Sequence, residues 1–231
     1  MIRKIGNLNT IFNGELFVDD LTKNEIEKVW AEFSRSKNPK DFFDGDIYCV
    51  TDIDENVPSI NISKTKYSYL IYAKKTNKLV VRSLFSAGYI RTSDNYICII
   101  LNNRNRLNTI GGMANNRDIK GGRFDYDGCL IREFKEELGI ELNSNLNFKI
   151  KLEYLKYPSG KDLDDSFYPV GTLYEIETKY TKEDLIDIFN NNEHDCEVKN
   201  LKFYNQDNYK EIYSYDNKTE YLDELFDVLF Q

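Results

Sequence analysis

Apolar residues along this chain recur with two periods. After the capping box Thr22-Lys23-Asn24-Glu25, Ile26, Val29, Trp30 and Phe33 fall at i, i+3, i+4 and i+7. This predicts an amphipathic helix over about 23 to 34 with Trp30 in the core. Short runs rich in Ile, Tyr and Val at about 46 to 52, 58 to 63 and 66 to 74 read as strands, broken by Asp44-Gly45, Pro58 and Lys75-Thr76-Asn77. Residues 88 to 92 and 96 to 101 flank the turn Ser93-Asp94-Asn95 and predict a hairpin, the second arm continuously apolar and hence a central strand buried on both faces. Further strands are expected near 147 to 156, 167 to 178 and 197 to 204. A capped helix is expected over 181 to 189, and a C-terminal helix should present Tyr221, Leu225, Val228 and Leu229 on one face.

Composition narrows the class. With 231 residues, 41% of them hydrophobic and 31 Tyr and Phe in all, the chain can bury a sizeable core without staples, despite 30% charged residues. The net charge of −8, from 31 basic and 39 acidic residues, excludes a general electrostatic footprint for nucleic acid or anionic lipid. An anionic substrate then needs a local device such as a divalent cation. Cys49, Cys98, Cys129 and Cys196 have no paired C-x-x-C spacing and read as reduced, part-buried residues. The start of the chain is polar after Met1-Ile2-Arg3-Lys4, and no apolar run approaches the ~18 residues that span a bilayer. A cytoplasmic protein with no membrane partner is expected.

Chemistry becomes legible between 125 and 138. Asp125 is a good N-cap, Asp127 suits the first turn, and Gly139 stands where a helix stops. On that helix Leu130, Ile131, Phe134 and Leu138 form an apolar stripe, and Glu133, Glu136 and Glu137 occupy an adjoining arc of about 100°. A solvated acidic face is the plain reading. Against it, like charges at these spacings cost about 0.2–0.5 kcal/mol per pair, and Arg132 and Lys135 lie away from the middle of the arc. Three unneutralised carboxylates on one turn predict a hard cation such as Mg²⁺, which takes oxygen ligands and bridges carboxylates to phosphates.

The run Arg132-Glu133-Phe134-Lys135-Glu136-Glu137-Leu138-Gly139-Ile140 resembles the C-terminal half of the Nudix box, R-E-U-x-E-E-x-G-U with U a bulky apolar residue, and meets all seven defined positions. The order of elements from about 87 to 204 is similar to the Nudix α/β/α sandwich. The resemblance implies an α/β (α+β) fold with a mixed sheet over 85–231, preceded by a small α+β region over 1–84. It also implies a hydrolase whose Glu136 and Glu137 ligate Mg²⁺ or Mn²⁺. Glu133 would be a further ligand or would orient the attacking water, and the backbone carbonyl of Gly112 would complete the inner shell. Glu197 would be an acidic addition from a late loop, and Arg132 would pair with an upstream carboxylate.

The upstream half of the box departs from the family pattern. G-x5-E-x7-R-E would place Gly at 118 and Glu at 124, where the chain has Asp118 and Phe124. Gly111-Gly112 has the right context but lies six residues early, which reads as a six-residue loop insertion whose residues border the site. Gly121-Gly122, the competing alignment, leaves the loop four residues short. Asp118, Asp125 and Asp127 all stand as partners for Arg132. His194 reads as a solvated loop residue. Arg104 and Arg106 are candidates for a phosphate contact, with exposed loop arginines as the plainer alternative.

The family's chemistry implies hydrolysis of a nucleoside diphosphate linked to X, giving NMP and X-phosphate. The front region, with its Trp-bearing helix, Phe42-Phe43-Asp44-Gly45-Asp46 and a Tyr-rich strand, is similar to the UDP-glucose pyrophosphatase branch. The segment 197 to 203 before a terminal helix resembles the poxviral mRNA-decapping Nudix enzymes. No basic stripe tracks an RNA backbone, so a small-molecule nucleoside diphosphate derivative is the expected partner, with no nucleic acid. A catalytically silent Nudix fold that binds a nucleotide is the reading from a different class.

Overall fold

The computed structural model describes residues 1–5, 8–35, 44–54, 59–142, 145–158 and 167–230; Phe42, Phe43 and Pro58 lie outside them. In chain order the elements are β1 (Ile2–Lys4), β2 (Asn9–Glu15), α1 (Asp20–Arg35), β3 (Asp46–Asp54), β4 (Ser59–Lys66), α2 (Tyr67–Thr76), β5 (Arg82–Arg91), β6 (Ile97–Asn102) and β7 (Leu107–Asn108). They continue with β8 (Ile110–Met113), β9 (Ile119–Lys120), β10 (Arg123–Phe124), α3 (Tyr126–Leu138), β11 (Phe148–Lys156), β12 (Val170–Thr178), α4 (Lys182–Asn191), β13 (Val198–Tyr204) and α5 (Leu222–Phe230).

The sheet is organised around β5. Along one edge it pairs in parallel with β12, from Leu84↔Val170 to Arg91↔Glu177, and β12 continues antiparallel to β11 and then to β1. Along its other edge β5 meets three partners in turn. These are β3 at Ser83↔Cys49, β8 at Phe85↔Met113 to Gly88↔Ile110, and β6 at Ile90↔Cys98. Hydrogen bonding therefore runs from the front strands β2, β4 and β3 into the central sheet, which is mixed.

Period-two alternation divides the core. Ile90, Cys98 and Ile100 face Leu130, Phe134 and Leu138 of α3 and Leu185 and Phe189 of α4. Tyr89, Ile97, Ile99 and Leu101 face Tyr221, Leu222, Leu225 and Phe226 at the C-terminal helix. The sheet thus lies between two helical layers, an α/β/α arrangement of the α+β class, as the resemblance implies. β6, expected as a central strand, is buried from Ile97 to Leu101 and pairs with β13, β5 and β7.

Three expectations are corrected. Residues 66 to 74 read as a strand, but 67 to 76 form α2: Ser68, Ile71 and Tyr72 fall at helical spacing and are buried. The helix is closed by Asn77 at φ +54°, whose N–H donates to the Ala73 carbonyl at 2.8 Å. Trp30 is half-buried, set against Phe33 and edge-on to Tyr67, because the face of α1 that turns fully inward is centred on Ile26. On α5 the buried face is Leu222, Leu225 and Phe226, and Val228 points outward. No helix among the described residues is long and apolar enough to cross a membrane.

Candidate functional site

The glutamate-bearing helix α3 is fixed at both ends. Asp125 caps it, accepting from the Gly128 N–H at 3.0 Å, and Gly139 at φ +67° ends it with its N–H on the Lys135 carbonyl at 3.0 Å. Leu130, Phe134 and Leu138 are wholly buried in the core between α3 and the sheet, which sets the rotation of the helix and turns Glu133 and Glu137 toward β8.

Glu137 is buried, 6% exposed, and accepts a hydrogen bond from the Gly111 N–H at 2.8 Å. Burial pushes its carboxyl up to about 9, against the pull of the Gly111 N–H and with the charges of Glu133, Asp195 and Glu197 adding to the rise. Glu133 is pushed up to about 7, also by burial first, with Arg132 opposing and Glu136 and Asp118 reinforcing. Two glycines make this contact with β8. A side chain at Gly111, φ +146°, would meet the Ser86 carbonyl oxygen at 2.4 Å, and one at Gly112 would meet Glu133 Oε1 at 2.4 Å.

Arg132 gathers the carboxylates from the other side. Its Nη2 lies 2.8 Å from Asp118 Oδ2 and its Nε 3.3 Å from Asp118 Oδ1, a two-pronged contact. Its Nη1 reaches Glu133 Oε1 at 2.6 Å and Glu136 Oε2 at 2.9 Å. Of the three candidate partners for Arg132 the structure selects Asp118. Asp125 instead meets Lys120, and Asp127 accepts from the Tyr174 hydroxyl at 2.5 Å. The expectation of three unneutralised carboxylates is corrected, because the long guanidinium side chain curls across the arc that its helical position skirts. Lys135 turns away to Glu141.

The competing glycine pair is also placed. Gly121 and Gly122, at φ +56° and +74°, form the two-residue turn between the paired residues Lys120 and Arg123 of the β9–β10 hairpin. Gly111-Gly112 is the pair that faces the glutamates. Glu197 is exposed, on the loop that also carries Asp195, and its charge adds to the rise at Glu137. Asp195, which sequence reasoning missed, is tied to the end of α3 by its N–H to the Glu136 carbonyl at 2.8 Å, a loop-to-helix bond that no sequence spacing signals. His194 lies in a loop as expected, half-buried, with its ring stacked on Phe189 at 4.2 Å. Arg106 is engaged with Glu220 at 2.9 Å, and Arg104 is exposed.

Among the described residues no three His, Cys, Asp or Glu side chains are gathered as a ready metal-ligand set. Glu133 and Glu136 are turned onto Arg132 and Glu137 onto Gly111. The donor chemistry nevertheless fits a hard divalent cation. The groups offered are carboxylate oxygens, buried Glu137 and part-buried Glu133 bear charge that desolvation disfavours, and the backbone at Gly112 leaves room for the Glu133 carboxylate.

No protein-family model and no curated protein sequence matches the chain. Solved structures do. DR0079 from Deinococcus radiodurans superposes with a TM-score of 0.50 at 15% identity, covering 80% of this chain and 99% of that one. The shared property is the fold. A NUDIX-family hydrolase from Clostridium perfringens (TM-score 0.39, 17% identity, 64% and 98% covered) is also similar. So is the NUDIX domain of NrtR from Shewanella oneidensis, complexed with ADP ribose (TM-score 0.44, 8% identity, 71% and 96% covered).

Proposed function

We propose that the chain is a Nudix-type, metal-dependent pyrophosphohydrolase acting in the cytoplasm on a nucleoside diphosphate linked to another moiety, a nucleotide sugar such as UDP-glucose, and releasing NMP and sugar 1-phosphate. One observation carries the reading. Glu133, Glu136 and Glu137 sit on one turn of a capped helix, with Glu137 buried on the Gly111 N–H and the part-buried Glu133 set against Gly112 of the neighbouring strand. Carboxylates perturbed by burial and by one another, as Glu137 and Glu133 are, mark functional sites.

Glu136, Glu137 and Glu133, with the Gly112 carbonyl, would hold Mg²⁺ or Mn²⁺, and Glu197 would join from its loop. The ion supplies charge neutralisation at the pyrophosphate and lowers the pKa of water. The protein's own part is positional. Arg132 fixes the rotamers of Glu133 and Glu136, and Asp118 fixes Arg132. Where it is not spent on the ion, the Glu133 carboxylate, held by Arg132 at 2.6 Å, would orient the attacking water. The excess of acidic residues, with a net charge of −8, favours a small diphosphate over a long polyanion.

The test is a screen of UDP-glucose, ADP-ribose, dinucleoside polyphosphates and capped RNA with Mg²⁺, read by product mass. UMP and glucose 1-phosphate are expected from UDP-glucose. Release of a capped nucleotide at higher kcat/KM than any nucleotide sugar would move the assignment to decapping. No turnover of any substrate, with nucleotide binding retained, would make the chain a silent binding fold.

A further inference from the structure

The packing of α1 on α2 is built on Ile26 and Tyr72, with Val29 and Tyr69 against them. Trp30, the single tryptophan of the chain, stands outside that core. It is half-buried and lines a cavity of about 200 Å³ between α1 and the first turn of α2, whose other walls include Lys23, Glu27, Asp44, Lys66 and Tyr69. A second hollow of about 120 Å³ shares Lys66 and Tyr69 with it. Thr65 lines that hollow, 8% exposed, and its Oγ1 has no hydrogen-bond partner among the described residues. A buried hydroxyl left in this way is a cost that a ligand group reaching it removes.

An aromatic side chain lining a cavity whose rim carries both signs of charge suits a planar ring with its own donors and acceptors. A nucleobase is such a ring: its π-face stacks on an indole, and its N–H groups donate to carboxylates. Glu27 is exposed and enters no ion pair among the described residues, and Asp44 accepts from the Ser68 N–H through Oδ1 at 2.7 Å, with Oδ2 left as an acceptor. The cations divide in the same way. Lys23 is engaged with Asp20 at 3.1 Å and Lys64 with Asp46 at 2.7 Å, whereas Lys66 and Arg104 enter no ion pair among the described residues. Arg104, on the turn between β6 and β7, meets the rim through Tyr67. That ring stands edge-on to Trp30 at 6.2 Å, and burial pushes its hydroxyl up while the charge of Arg104 opposes the rise. The same turn touches the loop of Asp195 and Glu197, because the Asn103 N–H donates to the Glu197 carbonyl at 2.8 Å.

We propose that the cleft between α1 and α2 binds a nucleoside phosphate, with Trp30 stacked on the base, Glu27 and Asp44 accepting from the base edge, and Lys66 and Arg104 taking the phosphate. Two sources share this chemistry, the nucleoside half of the hydrolysed substrate and a separate free nucleotide, and the measurements separate them. Binding needs neither metal nor turnover, so it stands or falls apart from the pyrophosphohydrolase reading. On the full chain in EDTA, UMP and GMP are titrated against the fluorescence of Trp30, corrected for absorption by the base, with glucose 1-phosphate as a phosphate that lacks a base. Both nucleotides should quench saturably, because stacking tolerates any base, and glucose 1-phosphate should leave the emission unchanged. Calorimetry with UMP then compares Trp30→Ala, Trp30→Phe and Lys66→Gln, each checked for folding by circular dichroism. Trp30→Ala should weaken binding about tenfold, within the range for one base losing one aromatic platform, and Trp30→Phe should recover part of the loss. Lys66→Gln should weaken binding and flatten its dependence on KCl. With Mg²⁺ and UDP-glucose, a raised KM at unchanged kcat in Trp30→Ala assigns the cleft to the substrate's own base; an unchanged KM beside weakened UMP binding assigns it to a separate nucleotide. No saturable quenching by either nucleotide, equal quenching by glucose 1-phosphate, or wild-type UMP affinity in Trp30→Ala overturns the proposal. If Trp30→Ala does not fold, wild-type UMP affinity in both Trp30→Phe and Lys66→Gln overturns it instead.

Discussion

Glu137 combines deep burial, a single backbone donor and three neighbouring negative charges, and its behaviour without metal follows from that. Its carboxyl is pushed up to about 9 in the fold and has an ordinary value near 4.5 when the chain unfolds. The folded state therefore binds the proton more tightly, so the stability of the metal-free protein declines as pH rises between those two values. Glu137→Gln keeps an acceptor for the Gly111 N–H and removes the charge. It should raise Tm in EDTA at pH 8 and flatten the decline, while nearly abolishing turnover at saturating Mg²⁺. Thermal melts across pH and a single-substrate assay check both halves; turnover comparable to wild type would remove Glu137 from the proposed ligand set. Glu175 has the opposite sign. Burial works to raise it, but the hydrogen bonds from Arg91 at 2.8 Å and the Tyr89 hydroxyl at 2.9 Å outweigh burial and hold it below the ordinary value. Its contribution is present above the unfolded carboxyl value of 4.5 and is lost as pH falls through the lower folded one. Glu175→Gln should give a flatter acid limb in a plot of Tm against pH, and parallel limbs for the two proteins would refute the assignment.

At the scale of elements, the helix carrying the glutamates depends on its first turn. Asp125 accepts from Gly128 and pairs with Lys120 on the hairpin before it, so Asp125→Ala should cost about 1 kcal/mol, the usual cost of losing an N-cap. A urea titration checks this, with an unchanged m-value showing that the loss is local. This helix was legible in the sequence because every cue agreed: Asp125 at the start, Gly139 at the end, and Leu130, Phe134 and Leu138 at the right spacing. The hairpin of β5 and β6 was legible for the same reason, with Asn95 at φ +65° in its turn. Helix α2 was not. Tyr67, Tyr69, Ile71 and Tyr72 suit a strand by propensity, and the helix is decided by what Ser68, Ile71 and Tyr72 bury and by the Ser68 N–H on Asp44 at 2.7 Å. Arg132 shows the same limit within the candidate site. Asp118, Asp125 and Asp127 are equivalent along the chain, and only the fold distinguishes the first, burying it beside Arg132.

At the scale of the whole molecule, the charge distribution bears on substrate class more directly than any single contact. A net charge of −8 repels a polyanion at long range, and the acidic residues nearest Glu137 include Asp195 and Glu197 on a loop that closes over the end of α3. Arg106, a cation placed near this end of the sheet, is already bound to Glu220. A capped RNA would have to gain affinity from Lys and Arg contacts along its backbone, each releasing a counterion and together giving a steep fall of affinity with salt. A nucleotide sugar offers only its diphosphate, which a divalent cation at the glutamates would match locally, with its charges within a Debye length of about 8 Å at physiological ionic strength. For UDP-glucose, kcat/KM should therefore change little between about 50 and 200 mM monovalent salt, whereas phosphate-tracking RNA binders lose about 10³–10⁵ in affinity over that range. Initial rates at fixed Mg²⁺ across a KCl series provide the measurement. A steep slope with capped RNA, together with faster turnover of that substrate, would show that the chain draws a basic path from residues that its overall charge conceals.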